Sequence, residues 1–186
     1  MSLNPLNIIK GDWSLFLDRD GVINKRPLND YVRQVEDFHF LPGTLEALRY
    51  FNEVFARIIV ITNQQGVGKG LMTIEKLHDI HSWMQYFVQQ NGGRIDAVYS
   101  CTDLASAPNN CRKPDLAMAK QAQQAYPEIR PEHAIMVGDT ASDILFGKNA
   151  GMKTVLIGNA AISITPDMRF ETLLDFAFYI KKIISS

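Results

Sequence analysis

Cysteine is scarce: Cys101 and Cys111 are the only two in 186 residues, too few for a disulfide framework. Long apolar runs are missing too. The hydrophobic stretches are short and broken by charges, so none reads as a membrane span. The start lacks the basic, apolar and small-residue series of a secretory signal. Met1-Ser2-Leu3 reads equally well as an expression scar and is set aside. Excess charge of one sign is also absent, with 19 Lys and Arg against 20 Asp and Glu for a formal net charge of -1. That excludes general attraction to nucleic acid or a membrane surface, but leaves room for a local phosphate site built from a few placed cations. There is no internal repeat, low-complexity tract or interdomain linker. Residues 1–186 therefore read as one domain, long enough for its own core. A reducing, cytoplasmic setting is expected.

What is present is an alternation of strands and helices. Hydrophobic residues make up 46 %. Short apolar runs bounded by turn residues predict buried strands at 14–17, 58–61, 95–100, 134–137 and 154–157. Helical spacing predicts helices from Thr44 through Phe51, from Thr73 to about Gln90, over 116–125, over 144–150 closed by Gly151, and over 170–180. Trp83, Met84 and Phe87 on the long helix read as core, with a dimer face as the alternative. His78 and His81 read as surface or packing residues. Such alternation implies a parallel sheet flanked by helices on both faces, with ligands bound beyond the carboxyl ends of the strands.

Asp18, Thr62, Cys101 and Asp139 each sit just past such an end, and four polar clusters stand out. Asp18 and Asp20, in Asp18-Arg19-Asp20-Gly21, are two carboxylates able to face one pocket. One suits attack on phosphorus and the other proton transfer. Thr62-Asn63-Gln64-Gln65-Gly66 offers a hydroxyl, amides and backbone N–H groups to an anion. Arg112-Lys113-Pro114 pairs two cations able to neutralise a transferring phosphoryl group. Gly138-Asp139 through Asp143 adds two carboxylates four residues apart. Magnesium favours such hard oxygen ligands. Each cluster alone is equally an ordinary turn, loop, surface cation pair or helix cap.

Together and in this order, the clusters resemble the motif set of the haloacid dehalogenase superfamily, over about residues 14–160. The first three look most like the subgroup of D-glycero-D-manno-heptose 1,7-bisphosphate 7-phosphatases and histidinol-phosphate phosphatases. The resemblance implies a Rossmann-like haloacid dehalogenase fold and Mg2+-dependent phosphomonoester hydrolysis through an aspartyl phosphate. In that scheme Asp18 is the nucleophile and Asp20 the general acid/base. Thr62 and Lys113 hold the phosphoryl group. Asp18, the Asp20 carbonyl and Asp139 bind the metal, with Asp143 in support behind them. Tyr31, Val32, Asn63, Gln64, Gln65, Arg112 and Lys113 match substrate-contacting positions. The implied substrate is small and phosphorylated, a sugar bisphosphate, with D-glycero-β-D-manno-heptose 1,7-bisphosphate first. Histidinol phosphate or another small phosphometabolite is the alternative, and a non-catalytic phosphate-binding protein is a third reading. A monomer is expected, with no nucleic-acid or membrane partner.

The chain departs from the family in three places, one of them a slightly longer segment between Asn24 and Tyr31. The family's zinc loop carries Cys-x-His and Cys-x-Cys, but here the segments are Cys101-Thr102-Asp103 and Asn109-Asn110-Cys111. With two strong ligands left, Zn2+ is not expected, and packing and hydrogen bonds must hold the loop. Thr140 stands where the heptose enzymes often carry a lysine. Neither the stretch between the first and second clusters nor that between the second and third has room for a separate cap domain. The site is expected to be open, with selectivity left to the loops at 25–36 and 101–112.

Overall fold

A computed structural model describes residues 10–28 and 30–185; Met1-Ser2-Leu3 lies outside them. The chain runs β1 (Ser14–Leu17), α1 (Thr44–Val54), β2 (Arg57–Asn63), α2 (Gln65–Gly68), α3 (Ile74–Gln90), β3 (Ala97–Cys101), α4 (Ala117–Ala125), β4 (Ala134–Gly138), α5 (Ala141–Asn149), β5 (Lys153–Ile157), β6 (Met168–Phe170) and α6 (Leu173–Ile184). The six strands form one sheet in the order β3-β2-β1-β4-β5-β6, and every pairing is parallel.

β1, β2, β4 and β5 are buried on both faces, which is why they read as unbroken apolar runs. Leu15, Leu17, Ile58, Val60, Ile135 and Val137 face one core, with Leu48 and Phe51 of α1, Met84 of α3 and Phe176 of α6. Phe16, Ile59, Ile61 and Met136 face the other, with Met118 and Ala122 of α4 and Phe146 of α5. A large side chain fully buried in this way contributes about 1.5–3 kcal/mol.

Helix starts follow local chemistry. Thr73 caps α3 by accepting the Lys76 N–H at 3.3 Å. Thr44 does not cap α1 as expected; Gly43, at φ 77°, takes the cap position and Thr44 is the buried first helical residue. α5 begins at Ala141, three residues earlier than its apolar spacing suggests, because Thr140 and Asp143 form a capping box. A second box, Thr172 with Asp175, starts α6. It leaves 168–170 as the short strand β6, so the helix expected from Phe170 begins at Leu173 instead. Met84 is fully buried, and Trp83 stacks on Phe87 at 5.1 Å between ring centroids, at the edge of the core.

β1 lies between β2 and β4, with Leu17 level with Val60 on one side and Val137 on the other. The chain winds outward from β1 to β3, then returns to β4 on the other side. This reversal opens the crevice at the carboxyl edge where ligands bind in such sheets.

Candidate active site

Asp18 is the first residue past β1. Its backbone N–H donates to the Val137 carbonyl at 2.9 Å, carrying the strand register into the loop. The side chain is 7 % exposed. Oδ1 accepts from the Arg19 N–H at 2.7 Å and lies 2.8 Å from Lys113 Nζ, so the carboxylate is held in one orientation. Burial pushes the Asp18 carboxyl up to about 7, opposed by Lys113 and assisted by Asp143 and Asp139.

Lys113 is buried and its ammonium has three oxygen partners. It lies 2.8 Å from Asp18 Oδ1 and 2.5 Å from Asp143 Oδ1, and donates to the Ile61 carbonyl at 2.9 Å. Burial alone would lower its pKa, but Asp143 and Asp18 together raise it; Lys113 is a cation here. Asp143 is fully buried and does two jobs. It caps α5 through the Thr140 N–H at 3.0 Å and hydroxyl at 2.5 Å, and it pairs with Lys113. Gly138 is required for this closeness, since a Cβ there would lie 2.1 Å from the Asp143 Cβ.

Asp20 accepts from Arg19 Nη2 at 3.0 Å on both oxygens, from Asn24 Nδ2 at 2.9 Å and from Gln64 Nε2 at 2.7 Å. Burial would raise its pKa, but Arg19 and the two amides outweigh it and hold the carboxyl below its usual range. Arg19 is fully buried and also donates through Nη1 to His81 Nε2 at 3.1 Å. His81 is thus a packing residue that faces a charge. Desolvation, reinforced by Arg19, drives its pKa down to about 3, so the ring is neutral.

A cleft of about 560 Å³ opens above these groups, lined among others by Asp18, Asp20, Tyr31, Thr62, Asn63, Gln65, Arg112 and Lys113. The structure brings together most of the residues singled out in the sequence. Two sit differently. Gln64 is 1 % exposed and lies behind the cleft, donating to Asp20 and, at 2.8 Å, to the Thr62 hydroxyl. Val32 is buried in the core. Asn63 lines the cleft and also accepts the Lys113 N–H at 2.9 Å, locking the second cluster to the third. Gln65 donates to the Tyr31 hydroxyl at 3.0 Å and accepts the Ala105 N–H at 2.8 Å.

The loop after β3 is closed by a disulfide between Cys101 and Cys111. This corrects the expectation that packing and hydrogen bonds alone hold it, and it ties up both sulfurs. Cys101 is the last residue of β3 and Cys111 the residue before Arg112, and their α carbons lie 5.5 Å apart. Asp103, at the family's histidine position, accepts the Cys111 N–H at 3.0 Å.

Three basic residues at the site were missed in the sequence. Lys69 and Arg26 line the cleft. Lys69 lies over the Tyr31 ring at 5.4 Å, and Arg26 reaches Asp139 Oδ1 at 2.7 Å. The third is Arg19, fully buried behind the cleft against Asp20. No spacing rule marks Lys69 and Arg26, because their partners Tyr31 and Asp139 come from other loops.

Asp18, Asp139 and Asp143 offer carboxylate oxygens within 4.8 Å of one another. Burial and Asp143 push the Asp139 carboxyl up against the pull of Arg26. Gly21 (φ 93°) closes the cradle; a Cβ there would fall 2.0 Å from Asp139 Oδ2. A cation already sits among these oxygens, in the form of the Arg26 guanidinium. Hard oxygens, crowded negative charge and space for a positive centre fit a divalent ion such as magnesium.

A family model described as HAD-hydrolase-like matches residues 110–168. The D-glycero-alpha-D-manno-heptose-1,7-bisphosphate 7-phosphatase of Mycobacterium bovis is 37 % identical over 170 residues, covering 89 % of this chain and 90 % of its own length. The chain is a HAD-like phosphatase. Its relatives include the D-glycero-beta-D-manno-heptose-1,7-bisphosphate 7-phosphatase of Helicobacter pylori, 34 % identical over 81 % of the chain and 85 % of the relative. Among solved structures, this phosphatase superposes on the D,D-heptose 1,7-bisphosphate phosphatase of B. bronchiseptica, complexed with magnesium and phosphate. The TM-score is 0.81 at 26 % identity, over 92 % of this chain and 99 % of the other. No helix among the described residues is long and apolar enough to cross a membrane.

Proposed function

We propose that the protein is a magnesium-dependent phosphatase that removes the 7-phosphate of D-glycero-β-D-manno-heptose 1,7-bisphosphate. The α anomer is a specific second reading, because relatives named for it reach 37 % identity while those named for the β anomer stand at 29–34 %. The observation that carries the chemistry is the Asp18 carboxylate, held by Lys113 and the Arg19 amide at the floor of an open cleft.

The reaction has two steps. An Asp18 oxygen forms a bond to phosphorus as the bond to the sugar oxygen breaks, and that oxygen leaves with a proton from Asp20. Asp20 then takes a proton from a water, whose oxygen displaces Asp18 from phosphorus and yields phosphate. As described, Asp20 is ionised and ready for the second step; for the first it must carry a proton away from the Arg19 and Gln64 donors. The Thr62 hydroxyl and Lys113 ammonium stabilise the charge on the transferring group. Asp18, Asp139 and the Asp20 carbonyl would hold magnesium. The ion would supply Lewis-acid polarisation of the phosphoryl oxygens and keep Asp18 ionised below its metal-free value near 7. Tyr31, Asn63, Gln65 and Arg112 would contact the sugar bisphosphate.

In this reading residues 1–186 act as one cytoplasmic domain without a cap. The test is phosphate release with magnesium across both heptose bisphosphate anomers, histidinol phosphate and common sugar phosphates. Asp18→Asn should reduce turnover at least a thousandfold, on the scale of removing a nucleophile. Normal activity in that variant would refute the mechanism, and preference for another phosphate would refute the substrate.

A further inference from the structure

Arg26 belongs to none of the four clusters. It lies in the loop after β1 with its side chain 46 % exposed, yet the guanidinium turns inward. Nη2 donates to Asp139 Oδ1 and to the Asp20 carbonyl, each at 2.7 Å, and lies 3.5 Å from Asp18 Oδ2. These are the oxygens assigned above to the divalent cation. Oxygens that close around a guanidinium nitrogen cannot also close around a metal ion, so the two occupants exclude each other.

Charge balance says where Arg26 goes next. Four carboxylates converge here: Asp18, Asp20, Asp139 and Asp143. Arg19 pairs with Asp20, Lys113 spans Asp18 and Asp143, and Arg26 covers Asp139 and Asp18. Three cations leave the cluster one negative charge in excess. A divalent ion in place of Arg26 makes it neutral and releases the guanidinium from these four carboxylates. Pro27 confines the Arg26 backbone to extended conformations, so the exchange is a swing of the side chain. The cleft it swings into presents Lys69, Arg112 and Tyr31, together with Asp30, which is already paired with Arg33; the two basic groups suit an anion, and an arginine fork grips a phosphate at two points.

We infer that Arg26 serves two partners in turn. It is the internal counter-ion that closes the cation site, and once a divalent ion displaces it, it becomes a ligand for the second anionic group of the substrate. The inference rests on the phosphatase reading above and adds a specificity-determining residue to it. Metal and bisphosphate binding then favour each other, because each benefits from the same swing.

The first test needs no substrate. Magnesium alone is titrated calorimetrically into the full chain, wild type, Arg26→Ala and Arg26→Lys, with circular dichroism confirming the fold of each. A site closed by Arg26 about nine-tenths of the time lowers apparent affinity about tenfold. Arg26→Ala should therefore bind magnesium about tenfold tighter than wild type, with Arg26→Lys between them. Equal affinity in wild type and Arg26→Ala overturns the closing role and leaves the phosphatase reading standing. No magnesium binding by any of the three overturns both. The second test compares kcat/KM at saturating magnesium for a sugar bisphosphate and the matching monophosphate. The ratio of the two should fall about tenfold in Arg26→Ala through KM, in line with losing a charge-assisted contact. An unchanged ratio overturns the ligand role.

Discussion

Replacing Lys113 by Met keeps most of the side chain's bulk and removes its charge. The ammonium is 1 % exposed and sits between Asp18 and Asp143. Without it, those carboxylates face each other in a buried space, and each can escape only by taking a proton. Neutralising an aspartic acid of reference pKa ~3.9 at pH 7 costs about 4 kcal/mol, which is close to the ~3–5 kcal/mol found when one partner of a buried pair is removed. Asp18 adds little, because its carboxyl is already pushed up to about 7; Asp143, with no exposed side-chain surface, carries most of the burden. Lys113→Met should therefore lose about 3–4 kcal/mol at pH 7. At pH 5 the same protonation costs only about 1.5 kcal/mol, so the deficit should shrink by about 2 kcal/mol. Urea unfolding of wild type and variant at both pH values measures this, and Lys113→Met combined with Asp143→Asn should recover much of the loss. A deficit below about 1 kcal/mol, or one that ignores pH, would refute the idea that Lys113 is the counter-ion on which the site is built.

His81 sets an acid limb of stability. Its ring stays neutral down to about pH 3 in the folded chain, while the unfolded ring protonates near 6.5. The contribution is therefore intact above 6.5 and is lost at ~1.4 kcal/mol per pH unit as pH falls from there toward 3. His81→Gln, which can still accept from Arg19, should flatten that limb between pH 6.5 and 4.5 in denaturant titrations; parallel profiles would contradict it. Gly138→Ala should destabilise by about 3 kcal/mol or more, because its Cβ would meet the Asp143 Cβ at 2.1 Å. Chemical denaturation at neutral pH checks this, and a change under 1 kcal/mol would mean that α5 moves freely against β4.

The sheet was legible because its central strands are buried on both faces, so β1, β2, β4 and β5 appear as unbroken apolar runs. β6 was not: it has three half-exposed or exposed residues at the sheet edge, and its apolar ends blend into the helix that follows. The clusters carrying Asp18, Thr62 and Asp139 could be read because the strands they follow fix where they emerge, and Lys113 by its place after them in the ordered set. Arg19, Arg26 and Lys69 could not, since an arginine or lysine in a loop has the same sequence signature whether solvated or paired. Only the partners distinguish them, and for Arg26 the decisive one, Asp139, lies 113 residues away. The cysteine pair was misread for a related reason. The expectation weighed their number, while the fold brings two loop ends together.

The two ends of the Gln65 amide are both spoken for, one by Tyr31 and the other by the backbone of the loop that the cysteines close. The opposite walls of the cleft are therefore a single mechanical part. A change of substrate that asks the Tyr31 wall to retreat will drag the 101–111 wall with it, or else break the strut. Selectivity in this protein should drift along the lineage by paired substitutions across the cleft, and grafting one wall alone from a relative should loosen both.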